Sequence, residues 1–463
     1  MATDNSEIFS VIITAGGSEV VLDNSDIVQC YFIEDIYSWC MAGKLILKDT
    51  RAIIEFLPLV GDEIITIIYR TWDVEGGTKI GSQGDGEAQG DGGAAAGGTY
   101  DERVYSFEIF KVSEISATNQ NTVGAREIVT MYGIEIFFVQ REHKLLHQNY
   151  YSRTYIDKKY IDIIKDMAKR YIDIGGYVRF ESAVEEIEFF HTGLRTPAQG
   201  LLWLMERIKG DDSGQSGFMF YHSTEASEVS WNFITLEKLL RDGPLIAPPI
   251  DGIYTMGSAN QHNLNNLTNI IISCVDQSSL NRLSACNMLG YDIYRKYMVK
   301  REYVYQDGND RYTTLGDYTL FNKDNIALKK PQEILTGESG DKYMLVECLL
   351  DNIHFSEWVK QYNLQQLVSV MVRGDVRRYC GGQIEINWLS GNTDEKFNKN
   401  MMGRYLIKSI THQFSGQTMP QYIQKMVLIK NGYWDSDSML TPASKPKKDY
   451  IELDSPEPSV LVV

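Results

Sequence analysis

The stretch from Ala42 to Arg70 reads AGKLILKDTRAIIEFLPLVGDEIITIIYR, and the rest of the fold is organised around it. It has the pattern of two β-strands joined by a loop that ends in LPLVGDE. Pro58 cannot donate a hydrogen bond to a β-ladder, and Gly61 beside an acidic residue supplies a turn. The segment Ile64 to Tyr69 is apolar enough to be a largely buried strand.

A weaker form of this pattern returns at Arg373 to Asn387, RGDVRRYCGGQIEIN. The strands that follow it, Tyr405 to Phe414 and Gln421 to Lys430, repeat the strand, connection, strand order of Val104 to Ile115 and Arg126 to Tyr132. Two unrelated domains could share strand, loop, strand by chance, since all-β folds offer few patterns, but the matched order of three units favours two domains built on one plan. We therefore expect residues 5–140 to superpose on 216–240 plus 345–434, with Gly61 and Gly382 in matching turns.

Length and charge limit the kinds of protein and of partner. A chain of 463 residues exceeds what one core usually serves, so that two to four domains are expected. It carries 45 basic and 62 acidic side chains, for a net charge of −17. This balance disfavours binding to anionic lipid or to nucleic acid through a general basic surface.

Targeting and redox signals are also absent from the sequence. No basic region followed by an apolar core opens the chain, and no apolar run approaches twenty residues, so neither a signal peptide nor a transmembrane helix is predicted. The six cysteines contain no C-x-x-C pair. Reduced thiols are therefore expected, without a zinc knuckle or a disulfide framework.

The first 140 residues are strand-rich. Short strands separated by turn signals favour a sandwich or a barrel, and the predicted strands are Ile8 to Thr14, Ile27 to Ile33, Met41 to Leu47, Ile64 to Tyr69, Val104 to Ile115 and Arg126 to Tyr132. Residues 75–98 interrupt them, with ten glycines in twenty-four positions. Such a segment cannot offset its ordering entropy and predicts a flexible loop. A phosphate-binding loop is rejected there because no G-K-[ST] follows.

Residues 141–215 have mixed helix and strand patterns. A helix is predicted after Thr154 as a cap, with one apolar face formed by Ile156, Tyr160, Ile163, Ile164, Met167 and Tyr171. A second helix is predicted from the capping box at Thr196, with Pro197 at its first position and Gly210 at its end. Two strands are predicted between these helices, at Tyr177 to Phe180 and Ile187 to Phe190.

The remaining elements are predicted as follows. Residues 216–245 contain a hairpin of Phe218 to His222 and Ser230 to Ile234, and residues 246–344 contain a strand at Asn269 to Val275 and a helix at Leu280 to Val299. Another helix, Ser356 to Met371, precedes the repeated strands. Residues 435–463, rich in proline and polar residues, predict an extended tail.

Two residue pairs were considered as chemical sites. Glu185 and Glu186 offer two carboxylates, but neighbours on a strand point to opposite faces and cannot flank one glycosidic bond. His143 and His147 have the spacing of two ligands on a helix face, but Lys144 replaces the glutamate of H-E-x-x-H and no third ligand is evident. The start of a surface helix explains the histidines better.

No other catalytic pattern is present. The sequence contains no G-x-S-x-G elbow, and no cysteine lies in a nucleophile context. The 28 tyrosines lie among apolar positions of strands and helices, which favours packing and protein interfaces over base stacking. We therefore predict no catalytic, cofactor-binding or metal-binding residue.

The order of a strand-rich domain, a helical insert and a split second strand-rich domain resembles the central hub protein of contractile-tailed phage baseplates. The segment LPLVGDEIIT and the ending Tyr405 to His412, YLIKSITH, carry the same resemblance. Late control protein D of other phages and the hub half of type VI secretion spike proteins share this architecture. The glycine-rich loop at 75–98 and the long insert at 246–344 depart from the pattern.

The resemblance implies a mainly β fold with α+β inserts. It comprises two tube-protein-like β-barrel domains, at 1–140 and at 216–245 with 345–434, and two peripheral α+β domains, at 141–215 and 246–344. In the family the hub is a homotrimer whose six barrels surround a channel. Its implied partners are itself, the tail tube protein, the trimeric spike protein, other baseplate proteins, a tape-measure protein in the lumen and DNA in transit only.

The resemblance also implies a place in the virion, at the tail baseplate, for a protein made in the host cytoplasm. No catalytic residue, cofactor or stable membrane binding follows from it. The acidic balance fits a channel through which DNA passes without sticking. Two alternatives stay open: a tail-associated peptidoglycan hydrolase with its active site in residues 141–240, and a secreted spike that carries an effector on a following needle domain.

Overall fold

The computed structural model describes residues 10–49, 59, 61, 63–72, 100–121, 128–172, 174, 176–225, 230–246, 254–256, 266–273, 286–303, 315, 318–319, 332–340, 342–364, 366–389, 398, 401–415, 421–433 and 450–453. The strands of the first 140 residues are β1 (Ser10–Ala15), β2 (Ser18–Leu22), β3 (Ile27–Asp35), β4 (Ala42–Asp49), β5 (Ile64–Trp72), β6 (Tyr100–Asn121) and β7 (Ile128–Val139). The middle of the chain contains β8 (Thr154–Lys159), β9 (Gly176–Phe180), β10 (Glu186–His191), β11 (Phe218–Ser223), β12 (Ser230–Thr235), β13 (Tyr254–Met256), β14 (Asn266–Ser273), β15 (Cys286–Asp292), β16 (Tyr297–Tyr303), β17 (Tyr318–Thr319) and β18 (Gln332–Glu338).

The last strands are β19 (Leu367–Arg373), β20 (Gln383–Asn387), β21 (Gly403–Ser415), β22 (Gln421–Ile429), β23 (Gly432–Tyr433) and β24 (Tyr450–Leu453). The helices are α1 (Arg141–Gln148), α2 (Tyr160–Met167), α3 (Pro197–Met205), α4 (Leu236–Asp242) and α5 (Val346–Tyr362), and a π-helical turn, Ala168–Ile172, extends α2. The fold is mainly β with α+β inserts, which confirms the predicted fold class.

One sheet of 13 strands runs through two β-units. The first β-unit consists of β1 to β7, in the order β2-β1-β5-β6-β7-β4-β3. The second β-unit consists of β13, β14 and β19 to β22, in the order β21-β20-β13-β14-β19-β22, and β22 pairs with β21 again, so that this unit is a closed barrel. Each unit has its own apolar core, because alternate residues of its strands point inward.

The two β-units share the order of five strands. The run β5-β6-β7-β4-β3 of the first unit corresponds to β20-β21-β22-β19-β14 of the second, and the four pairings in each run are antiparallel. This agrees with the repeated plan predicted from the sequence.

The registers of β6 and β21 match as far as Val112 in β6 and Ile410 in β21, beyond which β6 has a second bulge that β21 lacks. Ile64 lies opposite Glu108 in the first unit, as Gln383 lies opposite Leu406 in the second. A β-bulge then follows one residue later in each unit, after Ile109 in β6 and after Ile407 in β21. Bulges are specific local features of strand pairing, so that their coincidence supports a common plan.

The predicted match between Gly61 and Gly382 is wrong in register. The N–H of Ile109 donates to the carbonyl of Glu63, and the N–H of Ile407 donates to the carbonyl of Gly382, so that Gly382 corresponds to Glu63. The glycine with a positive φ before β20 is Gly381, at 85°, whereas the one before β5 is Gly61, at 103°. Each turn contains a glycine with a positive φ, a conformation that favours glycine. In the first unit this glycine lies two residues before the carbonyl acceptor Glu63, and in the second it lies one residue before the acceptor Gly382.

The composition of the second β-unit also differs from the prediction. The strands β11 and β12 were expected in the second barrel, but they form a separate four-stranded sheet in the order β11-β12-β9-β24. The barrel is completed instead by β13 and β14, from the region predicted as the second insert. Within the predicted tail, β24 pairs antiparallel with β9.

Three predicted helices are corrected. Thr154 was predicted as a helix cap but begins β8, and the helix begins at Tyr160 without a side-chain cap. The predicted helix at Leu280 to Val299 is wrong where the structure describes it, because β15 and β16 form a hairpin with alternate residues of β15 buried.

The predicted helix Ser356 to Met371 begins earlier, at Val346, and ends at Tyr362. The side chain of Asn363 donates to the carbonyl of Val359 and ends it. The segment from Leu367 onward is a strand, because its valines alternate at buried positions and β-branched residues favour strands.

One further prediction is confirmed, and another lies outside the described residues. Thr196 forms the predicted capping box with Gln199, and Pro197 opens α3. The glycine-rich segment at 75–98 lies outside the described residues. No helix in the described ranges is both long and apolar enough to cross a membrane. Of the six cysteines, the five that the structure describes are free thiols.

Candidate functional site: the junction of the two β-units

The two β-units are joined by backbone pairing between β3 and β21. The Cα partners run antiparallel from Ser409 opposite Asp35 to Phe414 opposite Cys30. The ladder continues at its end, where the N–H of Ile36 donates to the carbonyl of Lys408 at 3.0 Å. The ammonium of Lys408 lies 2.5 Å from the Asp35 carboxylate. We call this contact region the junction.

Polar residues lie on the buried faces of the strands that meet at the junction. In β3 the buried positions alternate as Cys30, Phe32 and Glu34, so the period of two that buries two apolar residues also buries a carboxylate. In the same way β21 buries His412 between Ile410 and Phe414. Buried polar groups of this kind require hydrogen-bond partners.

Glu34, in the first β-unit, is completely buried and is hydrogen-bonded to two other parts of the fold. The backbone N–H and the hydroxyl of Thr224, which follows β11, donate to its two carboxylate oxygens at 3.0 and 3.1 Å. His412 Nε2 lies 3.1 Å from Glu34 Oε1. Glu34 therefore connects the first β-unit with the second and with the four-stranded sheet.

His412 extends this network into the second β-unit. Its Nδ1 lies 2.7 Å from the hydroxyl of Tyr422, and the side-chain amide of Gln424 donates to the same hydroxyl at 2.8 Å. With a proton on Nε2, the direction of every bond is consistent: Gln424 donates to Tyr422, Tyr422 to Nδ1, and Nε2 to Glu34. The imidazole also stacks on Phe32, with ring centroids 4.5 Å apart.

The loop between β19 and β20 contributes a buried arginine to the same network. Arg378 donates to the hydroxyl of Tyr254 at 2.8 Å and to Gln424 Oε1 at 2.8 Å. It also donates to the carbonyl of Arg373 at 2.6 Å. Arg378 thus links the loop to β13 and β22, and its side chain has no exposed surface.

Asp375 supplies the negative charge of this loop. Burial alone would raise the pKa of its carboxyl, but the charges of Arg378 and Arg377 outweigh it and hold the pKa below its ordinary value. Burial raises the pKa of the Tyr422 hydroxyl well above its ordinary value. The loop therefore contains charged side chains that are paired inside the protein.

The network fixes a geometry and exposes no reactive group. Its members are enclosed, and the carboxylate of Glu34 accepts three hydrogen bonds from two chain segments, two from Thr224 and one from His412. A satisfied buried network rigidifies a core and is costly to open. The junction therefore holds the two β-units in one relative orientation, as a component of a rigid assembly requires.

The glutamates considered as an acid pair are not arranged as one. Glu185 precedes β10, and its carboxylate accepts a hydrogen bond from the Lys209 N–H at 3.3 Å. Burial raises the pKa of this carboxyl. Glu186 is the first residue of β10 and pairs with Lys159. The two residues are consecutive in the chain, so they cannot reach opposite sides of a sugar linkage.

The two histidines lie together on α1, as predicted, with ring centroids 4.5 Å apart. Burial lowers the pKa of His143, and of His147 too, which also stacks on Trp39. Within the described ranges no three His, Cys, Asp or Glu side chains are close enough to hold a metal ion.

The sequence contains a signal for the junction. Glu34, His412 and Gln424 each stand in phase with the buried apolar residues of their own strands, where a polar residue is unusual. The contact between Glu34 and His412 could not be predicted, because the two residues lie 378 positions apart in the chain.

Comparison with known proteins adds a second line of evidence. No model of a known protein family matches the sequence, and no curated protein sequence matches it. Among solved structures, the tail protein from Neisseria meningitidis MC58 is 11% identical, with a TM-score of 0.50 over 92% of this chain and 98% of that chain. The fold is that of phage tail proteins.

A second structure supports the same conclusion. The 43 kDa tail protein of prophage MuSo2 from Shewanella oneidensis is 10% identical, with a TM-score of 0.52 over 91% of this chain and 98% of that chain. Both likenesses extend over nearly the full length of the two chains compared. At the level of the fold, they confirm the resemblance to tail proteins found in the sequence.

Proposed function

We propose that the protein is the central hub of a contractile phage-tail baseplate. As a homotrimer it would present six similar β-units around a channel, and this pseudo-six-fold ring would adapt the hexameric tail tube to the trimeric cell-puncturing spike. Its location would be the baseplate of the virion, after synthesis in the host cytoplasm. The tail-protein fold is the general support for this proposal.

One observation carries the symmetry argument. Each chain contains the same run of five strands twice, in the same order and with a bulge at matching positions. Two similar units in each of three chains supply six similar positions, which is what a junction between three-fold and six-fold assemblies needs. The buried network of Glu34, His412 and Arg378 supports it further, because it holds the units in a fixed orientation.

The partners follow from this role. The upper face of the ring would contact the tail tube protein, the lower face the spike protein, and the periphery other baseplate proteins. A tape-measure protein and then DNA would pass through the channel, and the acidic balance of the chain, −17 overall, would keep DNA from adhering. The role is mechanical, and we infer no catalytic activity.

The proposal is tested by the mass and symmetry of the purified protein. Light scattering after size exclusion, alone and together with the spike protein of the same tail, is expected to give three chains per particle. Averaged electron-microscope images are expected to show three chains with six peripheral densities. A protein that stays monomeric even with its spike present would contradict the proposal.

The hub and the alternative, a peptidoglycan hydrolase, predict opposite results in a direct assay. If the protein is the hub, a cell-wall suspension incubated with the pure protein is expected to stay turbid. Clearing that disappears in Glu185→Gln or Glu186→Gln would establish the hydrolase instead. The adjacent positions of these glutamates, and the bond from the Lys209 N–H to Glu185, favour the structural role.

A further inference from the structure

Apart from the outer edge of β2, two strand edges of the sheet lack a partner over part of their length in the described part of the chain. On one edge β14 pairs with β19, but on the other it meets β13 only at Asn266 and Leu267, so that residues 268–273 are open. β6 pairs with β5 only as far as Glu108, so that residues 111–121 are open on that edge. Open edges of this kind offer unpaired N–H and carbonyl groups to another strand.

These two edges correspond to the two that form the junction. By strand order β14 matches β3, and β6 matches β21. By register, Ser273 opposite Leu367 matches Ile33 opposite Ala42. The open edge of β14 is therefore the edge by which β3 binds β21, and the open edge of β6 is the edge by which β21 binds β3.

Exposed apolar side chains mark the open edge of β14. Ile272 matches Phe32, which has no exposed surface and packs against Phe107 of its own unit and against Phe414 across the junction, whereas Ile272 is 41% exposed. Ile271 matches Tyr31, which is partly covered, whereas Ile271 is 61% exposed. Adjacent exposed isoleucines on an unpaired edge are an association site unless they are covered.

The open edge of β6 shows the same contrast. Phe110, the bulge residue, matches Lys408, whose side chain is covered at the junction, whereas Phe110 is 56% exposed. Lys111 matches Ser409 and is exposed, although Ser409 is buried. Positions that are covered in β3 and β21, where the junction forms, are thus exposed at the matching positions of β14 and β6.

We propose that the β14 edge of one protomer pairs antiparallel with the β6 edge of a second copy of this chain, in the register that β3 and β21 use within the chain. The proposal rests on the proposed trimeric hub, and it identifies the two strand edges through which neighbouring protomers contact each other in the ring. Each protomer uses each edge once, so the contact is head-to-tail and generates a closed ring when the rotation between units is one sixth of a turn. Backbone bonds supply affinity, and the isoleucines and Phe110 supply buried apolar area.

The register of the proposed contact gives a specific cross-link. Thr411 lies opposite Ile33 at the junction; counted one residue on from Val112, which matches Ile410, the residue of β6 that corresponds to Thr411 is Ser113, at the start of a second bulge, and Ser273 corresponds to Ile33. The variant Ser113→Cys with Ser273→Cys is made in a background of Cys274→Ser and Cys348→Ser, which removes the neighbouring thiol and the exposed one. After oxidation with copper phenanthroline, denaturing gels without reductant are expected to show linked dimers and trimers.

The matched control moves one cysteine to the part of β6 that β5 already covers. Ser106 lies opposite Thr66 there, so that Ser106→Cys with Ser273→Cys is expected to stay unlinked. If the Ser113 pair stays unlinked while light scattering gives a trimer, the proposed edges are wrong and the hub function stands. If the protein is monomeric under all conditions, the hub function fails and the edge pairing fails with it.

A charge on the open edge tests the same contact without a cross-link. Ile271→Lys is expected to reduce the particle from three chains to one, each of 52.7 kDa, with circular dichroism and melting temperature unchanged in the separated chain, since the side chain is already exposed. Ile156→Lys, at 60% exposure on β8, is the control and is expected to stay trimeric. A trimer that survives Ile271→Lys together with Phe110→Lys would overturn the proposal.

Discussion

Gly43 lies directly opposite Phe138 across β4 and β7, and a Cβ built on Gly43 would overlap both the Phe138 ring and the backbone carbonyl of Tyr31. The matching pair in the second β-unit is Val368 opposite Leu428. A small residue therefore faces a large one in the first unit, whereas two residues of intermediate size face each other in the second. At this pair of positions the side-chain volume comes from one residue in the first unit and from both residues in the second.

Gly43→Ala is therefore expected to destabilise the protein by about 1–3 kcal/mol, because the new methyl group would overlap the Phe138 ring and the Tyr31 carbonyl within a packed core. Gly337→Ala is the control, since nothing lies within 4 Å of a Cβ there. Denaturant unfolding measures both. The double variant with Phe138→Leu is expected to lose less than the sum of the single losses; strict additivity would refute overlap with the Phe138 ring as a cause and leave the Tyr31 carbonyl.

Glu34→Ala is expected to cost about 3 kcal/mol of unfolding free energy, because three buried donors lose their acceptor. The same substitution at exposed Glu19 is expected to change it by less than about 0.5 kcal/mol. A double-mutant cycle of Glu34→Ala with Thr224→Ala separates a real contact from general damage. A coupling energy near zero would show that Glu34 does not hold the four-stranded sheet to the junction.

The strands of both β-units were predictable because their residues alternate with a period of two and their turns contain glycine or proline. Partner choice was less predictable. β11 and β12 form the predicted hairpin, but nothing in Phe218 to Thr235 indicates that β12 pairs with β9 and not with a barrel strand. Strand partners are decided by tertiary packing, which local patterns do not contain.

The helix predicted at Leu280 to Val299 failed for a related reason. Apolar residues in that segment fit both periods, and the hairpin of β15 and β16 became evident only from the burial of Cys286 and Met288 on the same face. The junction could not be predicted for a different reason. The period of two predicts that Glu34 and His412 are buried, but it does not predict that they contact each other. Patterns within one strand predict its faces, whereas contacts between distant strands require the fold.

Two threonine caps allow a comparison of side-chain roles. Thr196→Ala removes the capping box of α3 and is expected to cost about 1 kcal/mol. Thr235→Ala removes the cap of α4 and also the hydroxyl that donates to buried Glu181 at 2.7 Å. It is expected to cost about 1–2 kcal/mol more than Thr196→Ala. Equal losses in denaturant unfolding would mean that the bond to Glu181 contributes nothing to stability.

The last prediction concerns Lys430, a completely buried lysine that follows β22. Its ammonium donates to the carbonyl of Met402 at 2.7 Å and lies 4.9 Å from the centre of the Tyr405 ring. Burial lowers the pKa of Lys430 to about 7. The same group in the unfolded chain has a pKa of about 10.4.

Between these two values the unfolded chain binds more protons than the folded one, so that stability increases with pH in that window. The slope from this group is at most about 1.4 kcal/mol per pH unit. Lys430→Met removes the titrating group, so the variant should be favoured most at and below about pH 7, and the difference from the natural protein should shrink as the pH approaches about 10. Loss of the bond to Met402 subtracts about 1 kcal/mol from the variant at every pH.

Denaturant unfolding at about pH 6, 8 and 10 measures this difference, with Lys425→Met at an exposed position of β22 as the control. For Lys430→Met, the free energy of unfolding relative to the natural protein is expected to fall from about pH 8 to about pH 10, while the control stays flat. A constant difference over the same range would show that Lys430 keeps its charge in the fold, stabilised by the Met402 carbonyl and the Tyr405 ring.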